Sequence, residues 1–147
     1  MENPKKIAVI GGGSWATALV KILCNNVDTL NWYMRNEGAA AHILKYRHNP
    51  NYLQSVEFDI NKINVSTDLL EMIKPADIVI LATPSAFLVK LFEDFPKDIL
   101  NNKLVFSAVK GIIPEYHAIP ARFIHKTFGI PYDNIGIICG PCHAEEV

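Results

Sequence analysis

Apolar residues fall along the chain in short runs separated by polar, helix-spaced stretches. Ile7-Ala8-Val9-Ile10 is a run suited to a buried strand, and it ends in Gly11-Gly12-Gly13. Ser14 then stands as a candidate helix cap, followed by Trp15, Ala18, Leu19, Ile22 and Leu23 at helical spacing, with Asn25-Asn26 as the stop. A second strand is read at Leu30–Met34, a second helix at Ala39–Tyr46, and a looser, asparagine-rich segment from Arg47 to Lys62. Asn64–Ser66 reads as a short third strand and Asp68–Ile73 as a short helix stopped before Pro75. Ile78–Ala82 is the most apolar strand, and Thr83-Pro84-Ser85 turns the chain into a helix from about Ala86 to Phe95. Leu104–Ser107 and Ile135–Cys139 read as a fifth and a sixth strand. Between them Tyr116–Phe128 reads as helical, with Pro120 in its first turn or splitting it.

Strands apolar on both faces, alternating with helices, predict a parallel sheet covered on both sides. The expected fold class is therefore α/β, a Rossmann-like doubly wound, mainly parallel sheet of about six strands or more. Its 147 residues suffice for one domain with a sizeable core. No internal repeat or low-complexity tract is present. Glu145-Glu146-Val147 reads as the first turn of a further helix, so the chain is expected to be a fragment.

Composition narrows the function classes. Half the residues are hydrophobic, 20% are charged, and the net charge is −1 with both signs mixed along the chain. That pattern gives no footprint for nucleic acid or a membrane surface. The charge-free run between Asp77 and Lys90 is interrupted by Pro84 and is too short to span a bilayer. Gly11-Gly12-Gly13 interrupts any signal-peptide core after Lys5-Lys6. Three cysteines among apolar neighbours fit a reducing, cytoplasmic compartment.

Gly11-x-Gly13-x-x-Ala16 is the dinucleotide fingerprint in its G-x-G-x-x-A form, in the first strand–helix unit of an alternating chain. Gly11 permits the tight turn, Gly13 lets a pyrophosphate approach the backbone, and Ala16 lets the helix pack on the strand. The N–H groups at the helix start then hold the phosphate charge. At the end of the second strand, where an NAD site usually carries an acid, the chain has Met34-Arg35-Asn36 and no acid before Glu37. A guanidinium suits a 2′-phosphate, so NADP(H) is favoured, with NAD(H) open as the alternative. Lys110 follows an apolar strand at the carboxyl edge of the sheet, where an ammonium would polarise a carbonyl and attract a phosphorylated substrate. An exposed loop lysine is the bland alternative.

Cys139-Gly140-Pro141-Cys142 has the spacing of a redox dithiol. It comes after five strands and a nucleotide fingerprint, so accidental spacing is the better account, and His143 alone does not complete a zinc site. His42, His48, His117 and His125 are assigned no chemistry.

Six segments, in order, resemble the bacterial NAD(P)-dependent glycerol-3-phosphate dehydrogenases. "GGGSWATAL" is similar to that family's G-x-G-x-W-G-T-A-L, with Ala16 for its usual glycine, and "WYMRN" to its W-x-x-R. "HNPNYL" resembles N-x-x-Y-L, with Gln54 where proline is common. "STDLLEMIKPADIVILATPS", "VKGI" and "GPCHAEEV" are similar to its T-x-D-L…A-D…V-P-S, T-K-G-I/L and G-P-S/T-F-A-x-E-V blocks. Cys142 replaces the usual Ser or Thr, a weaker hydrogen-bond donor. The resemblance implies reversible reduction of dihydroxyacetone phosphate to sn-glycerol 3-phosphate, for glycerophospholipid synthesis. It implies that residues 1–147 form the dinucleotide-binding domain, and that a C-terminal helical domain supplies the principal catalytic lysine and the grip on the substrate phosphate. The fragment alone is then expected to be inactive, and a homodimer is compatible with the full-length form.

By the same resemblance Gly11, Gly13, Ser14 and Trp15 hold the pyrophosphate. Arg35, with Asn36 and Tyr52, contacts the adenosine end, and Pro84 and Phe87 border the nicotinamide side. Lys110 reaches cofactor and substrate, Gly140 and Cys142 line the substrate, and Ala144 touches the cofactor. No metal is expected. The rival readings are another two-domain dehydrogenase of 6-phosphogluconate or hydroxyacid type, a non-catalytic nucleotide-sensing module, and a thiol oxidoreductase.

Overall fold

The computed structural model describes residues 4–139. Its frame is one six-stranded sheet in the order β3-β2-β1-β4-β5-β6, parallel throughout. The strands are β1 (Ile7–Ile10), β2 (Leu30–Tyr33), β3 (Ile63–Ser66), β4 (Ile78–Leu81), β5 (Leu104–Ser107) and β6 (Ile135–Ile137). The helices are α1 (Ser14–Cys24), α2 (Glu37–Tyr46), α3 (Leu69–Ile73), α4 (Ser85–Leu91) and α5 (Pro120–Phe128). This is the doubly wound nucleotide-binding arrangement that the alternating pattern predicts.

The period of two along each strand sorts the core into two layers. Ala8, Ile10, Val79, Leu81 and Val105 face one side and pack with Leu88, Phe92, Phe123 and Phe128. Val9, Trp32 and Ile80 face the other, with Ala16, Leu19 and Val20 of α1, Ile43 of α2, and Phe58. β1 is fully buried from Ala8 to Ile10 because it lies at the sheet centre between β2 and β4. Each large side chain buried this way contributes about 1.5–3 kcal/mol.

Several boundaries differ from the sequence expectation. The predicted helix from Tyr116 is in two pieces: a 3-10 turn at Pro114–Tyr116, then α5 with Pro120 at its first position. His117, at φ 45°, takes the left-handed conformation and ends the turn, so it lies outside the helix. A proline ring cannot sit in a helix interior without clashing with the preceding turn, so Pro120 opens the helix. α4 stops at Leu91 instead of Phe95, and β6 stops at Ile137 instead of Cys139. The cap of α1 is Gly13, without a side-chain cap bond, so Ser14 is the first helical residue instead of its cap. No helix among the described residues is long and apolar enough to cross a membrane.

Candidate functional site

The glycine turn joins β1 to α1 at the carboxyl edge of the sheet. Gly11 has φ 141°, and a Cβ there would lie 2.5 Å from the carbonyl oxygen of Ala82, at the end of β4. No side chain fits, so this glycine is demanded by the fold. Gly13 is different. Its backbone is ordinary (φ −80°), and a Cβ would meet nothing within 4 Å. The fold gives no reason for a missing side chain at Gly13; the space in front of it is what a closely approaching ligand requires.

Three successive carbonyls of this turn are held by side chains. Trp32 Nε1 donates to Gly11 O (2.7 Å), Asn49 Nδ2 to Gly12 O (3.2 Å), and Thr17 Oγ1 to Gly13 O (2.7 Å). Trp32, Asn49 and Thr17 are all buried. The described chain has no cis peptide bond. In a trans peptide the N–H points opposite to the C=O, so the N–H groups of Gly12, Gly13 and Ser14 face away from these anchors. The first-turn N–H groups of α1 have no partner within the helix, and they carry the positive end of its dipole.

A cleft of about 480 Å³ opens against this turn. Gly11, Gly13, Arg35, Asn36, Tyr52, Pro84 and Phe87, all expected from the sequence, line it. Ser14 is exposed at the start of α1 and Trp15 is half-buried behind it; neither lines the cleft. Lys110 is exposed beyond β5, also outside the lining. It still belongs to the same edge: a Cβ on the neighbouring Gly111 would lie 3.7 Å from Ser85 Oγ, at the start of α4. Gly140, Cys142 and Ala144 lie outside the described residues. Cys139 is an exposed thiol with no disulfide partner among the described residues.

Arg35 follows β2 and stacks on Phe87, its guanidinium carbon 5.3 Å from the ring centre. The resemblance puts Phe87 on the nicotinamide side and Arg35 at the adenosine end; in the structure the two side chains share one wall of the cleft. Among the described residues the single ion pair joins Arg47 to Glu57 at 3.9 Å, so no carboxylate there neutralises Arg35. The Asn36 side chain caps α2 by accepting from the Ala39 N–H (2.9 Å). Burial holds the Tyr33 phenol above its ordinary range, against the opposing pull of Arg35, so this cleft residue stays a neutral O–H donor. Among the described residues no group of three or more His, Cys, Asp or Glu side chains could hold a metal.

Sequence reasoning missed the anchors. Apart from its place in the W-x-x-R resemblance, Trp32 reads as an ordinary strand residue, and Asn49 lies in a segment without periodicity. Lys90 of α4 also lines the cleft and adds a second cation. The one signal available for Asn49 was its place in the N-x-x-Y-L resemblance.

The family described as NAD-dependent glycerol-3-phosphate dehydrogenase N-terminus matches residues 6–147. The glycerol-3-phosphate dehydrogenase (NAD(P)+) of Teredinibacter turnerae is 31% identical over 147 residues, all of this chain and 42% of that protein. The one from Legionella pneumophila strain Corby is 34% identical over 146 residues, 99% of this chain and 43% of that protein. The chain thus spans about two-fifths of the length of these relatives. A solved Plasmodium falciparum glycerol-3-phosphate dehydrogenase superposes with a TM-score of 0.76 at 25% identity, over 87% of this chain and 39% of that one. The Saccharomyces cerevisiae enzyme shares the fold at a TM-score of 0.78 and 20% identity, over 92% of this chain and 41% of that one. With its parallel sheet, its glycine turn and a match over nearly its whole length, the chain belongs to the family of N-terminal domains of NAD-dependent glycerol-3-phosphate dehydrogenases.

Proposed function

We propose that this chain is the cofactor-binding half of an enzyme that interconverts dihydroxyacetone phosphate and sn-glycerol 3-phosphate, with NADP(H) preferred over NAD(H). The observation that carries the cofactor reading is the glycine turn, with its carbonyls anchored and open space in front of Gly13. A pyrophosphate on that turn would accept from the N–H groups of Gly12, Gly13 and Ser14, at the positive end of α1. Trp15 would pack behind it. Arg35 carries the NADP(H) preference: it is exposed, stacked on Phe87 and free of any carboxylate among the described residues. Asn36 and Tyr52 complete that wall, and Pro84 lines the cleft beside them.

When bound, the nicotinamide supplies or takes up the hydride. The contribution of this chain is placement and charge. Lys110, on the carboxyl edge, would polarise the substrate carbonyl and stabilise negative charge growing on its oxygen. Gly140 and Cys142 would border the substrate and Ala144 the cofactor. A second, helical domain would provide the principal catalytic lysine and the phosphate grip. Glycerophospholipid synthesis in the cytoplasm is the setting that the resemblance implies, and the full-length form is compatible with a homodimer.

The test is a titration with NADPH and NADH, followed by tryptophan fluorescence, in the unsubstituted chain and in Arg35→Ala. NADPH is expected to bind more tightly, and Arg35→Ala to weaken it by about tenfold while sparing NADH. Equal binding of both cofactors would remove Arg35 as the selector. Binding of neither would remove the cofactor reading.

A further inference from the structure

We propose that Asn49 is a positioning residue for the phosphate-binding turn, acting through the Gly12 peptide and linking that turn to the wall that carries Tyr52. The inference rests on the cofactor reading above.

Asn49 is 1% exposed, yet it sits on the irregular segment between α2 and β3, where no strand or helix calls for an amide. Every hydrogen-bonding position of its side chain is used. Nδ2 donates to Gly12 O (3.2 Å) and to Thr17 Oγ1 (3.0 Å). Oδ1 accepts from the backbone N–H of Asn51 (2.9 Å) and of Tyr52 (3.3 Å). Two N–H donors on one side and two oxygens on the other dictate the orientation of the amide.

The consequence is geometric. Holding Gly12 O fixes the peptide plane whose other end is the Gly13 N–H, one of the donors assigned to pyrophosphate. Thr17 passes the same constraint to Gly13 O at 2.7 Å, and so to the Ser14 N–H. The Oδ1 side fixes the loop from which Tyr52 lines the cleft. One buried side chain therefore aligns the donors before the anion arrives, so binding does not have to supply the ordering cost.

Asn49→Asp separates the two sides. It keeps the acceptor for Asn51 and Tyr52 and loses both donors. Thr17→Val approaches the network from its other end and removes the hydroxyl that Asn49 and Gly13 share. The probes are NADPH and adenosine 2′-monophosphate, which keeps the 2′-phosphate and lacks the pyrophosphate. Both substitutions are expected to weaken NADPH by about tenfold or more, and to leave adenosine 2′-monophosphate within about twofold. A merely structural role would lower binding of both probes together, or lower thermal stability with NADPH affinity unchanged in the folded protein; either result overturns the proposal. Should Asn49→Asp fail to fold, Thr17→Val decides by the same criterion. An unsubstituted chain that binds NADPH beside variants that bind it equally well sinks this inference alone. An unsubstituted chain that binds neither cofactor sinks the cofactor reading and this inference with it.

Discussion

Two stretches of the carboxyl edge are built in opposite ways. After β1, the chain turns through Gly11–Gly13 under a dense set of bonds from the buried side chains of Trp32, Asn49 and Thr17. After β5, it runs through Val109–Lys110 with much less to hold it among the described residues: the Ser107 hydroxyl accepts from the Val109 N–H at 3.3 Å, and Ile113 pairs with Ala118. There Ile112, Tyr116 and Ile119 stand at least half exposed. On the proposed reading the first stretch presents fixed donors to an anion, aligned by side chains buried behind the turn. The second carries Lys110, whose long stem lets it reach without a rigid base.

The sharpest way to break the contrast is within the turn itself. Gly11→Ala forces a Cβ against Ala82 O at a φ that side chains rarely adopt. A loss of roughly 3 kcal/mol or more is expected in chemical denaturation. Gly13→Ala meets no neighbour, so its stability should stay within about 1 kcal/mol while NADPH affinity falls. Equal destabilisation by the two would erase the distinction between a glycine kept for packing and one kept for a ligand. Trp32→Phe keeps an aromatic ring against Phe58, whose centre is 5.2 Å away, and leaves Gly11 O without its donor. About 1–2 kcal/mol should be lost. On the other stretch, Lys110→Ala should change stability by less than about 0.5 kcal/mol, because the side chain is exposed. A large loss there would mean that the second stretch is also a framework.

The smallest effect concerns pH. Burial raises the Cys24 thiol above its ordinary 9.0, against the lowering influence of Lys21 and Lys62. The folded protein then holds this proton longer than the unfolded chain. Its contribution is complete below pH 9.0 and declines as pH rises through the folded value. Thermal melts from pH 8 to 10.5 should show a shallower alkaline decline for Cys24→Ala than for the unsubstituted chain. An unchanged slope would assign the decline to other groups, such as the Tyr33 phenol, whose raised value acts in the same direction.

The sheet was legible because its signal is local. Ile7–Ile10 and Ile78–Leu81 are buried on both faces, and continuous apolar runs say so directly. The fingerprint was legible because one residue's constraint, the φ of Gly11, leaves a mark in the sequence. The chain was less readable where meaning depends on distant partners. Asn49 looks like any loop asparagine until Gly12, 37 positions earlier, lies against it. Trp32 reads as an apolar strand residue, and its donor role appears only when β2 lies beside β1. From Tyr116 the helical reading holds only after Pro120, whose ring opens the helix there.

The pairing of β1 with β4 has a kinetic consequence. The bond from the Lys6 N–H to Asp77 Oδ2 spans 71 positions, and Ile7 to Ile10 match Ile78 to Leu81 in register beside it. Closing so long a loop is slow compared with forming a local hairpin or helix, so this pairing is expected to form after the local elements. Gly11 reaches its final shape only against Ala82, at the far end of that pairing. A partly folded chain with β1, α1 and β2 in place but β4 undocked has the fingerprint in sequence without the turn in space. In a refolding experiment, nucleotide binding, on the proposed reading, would therefore return only once β4 has docked against β1.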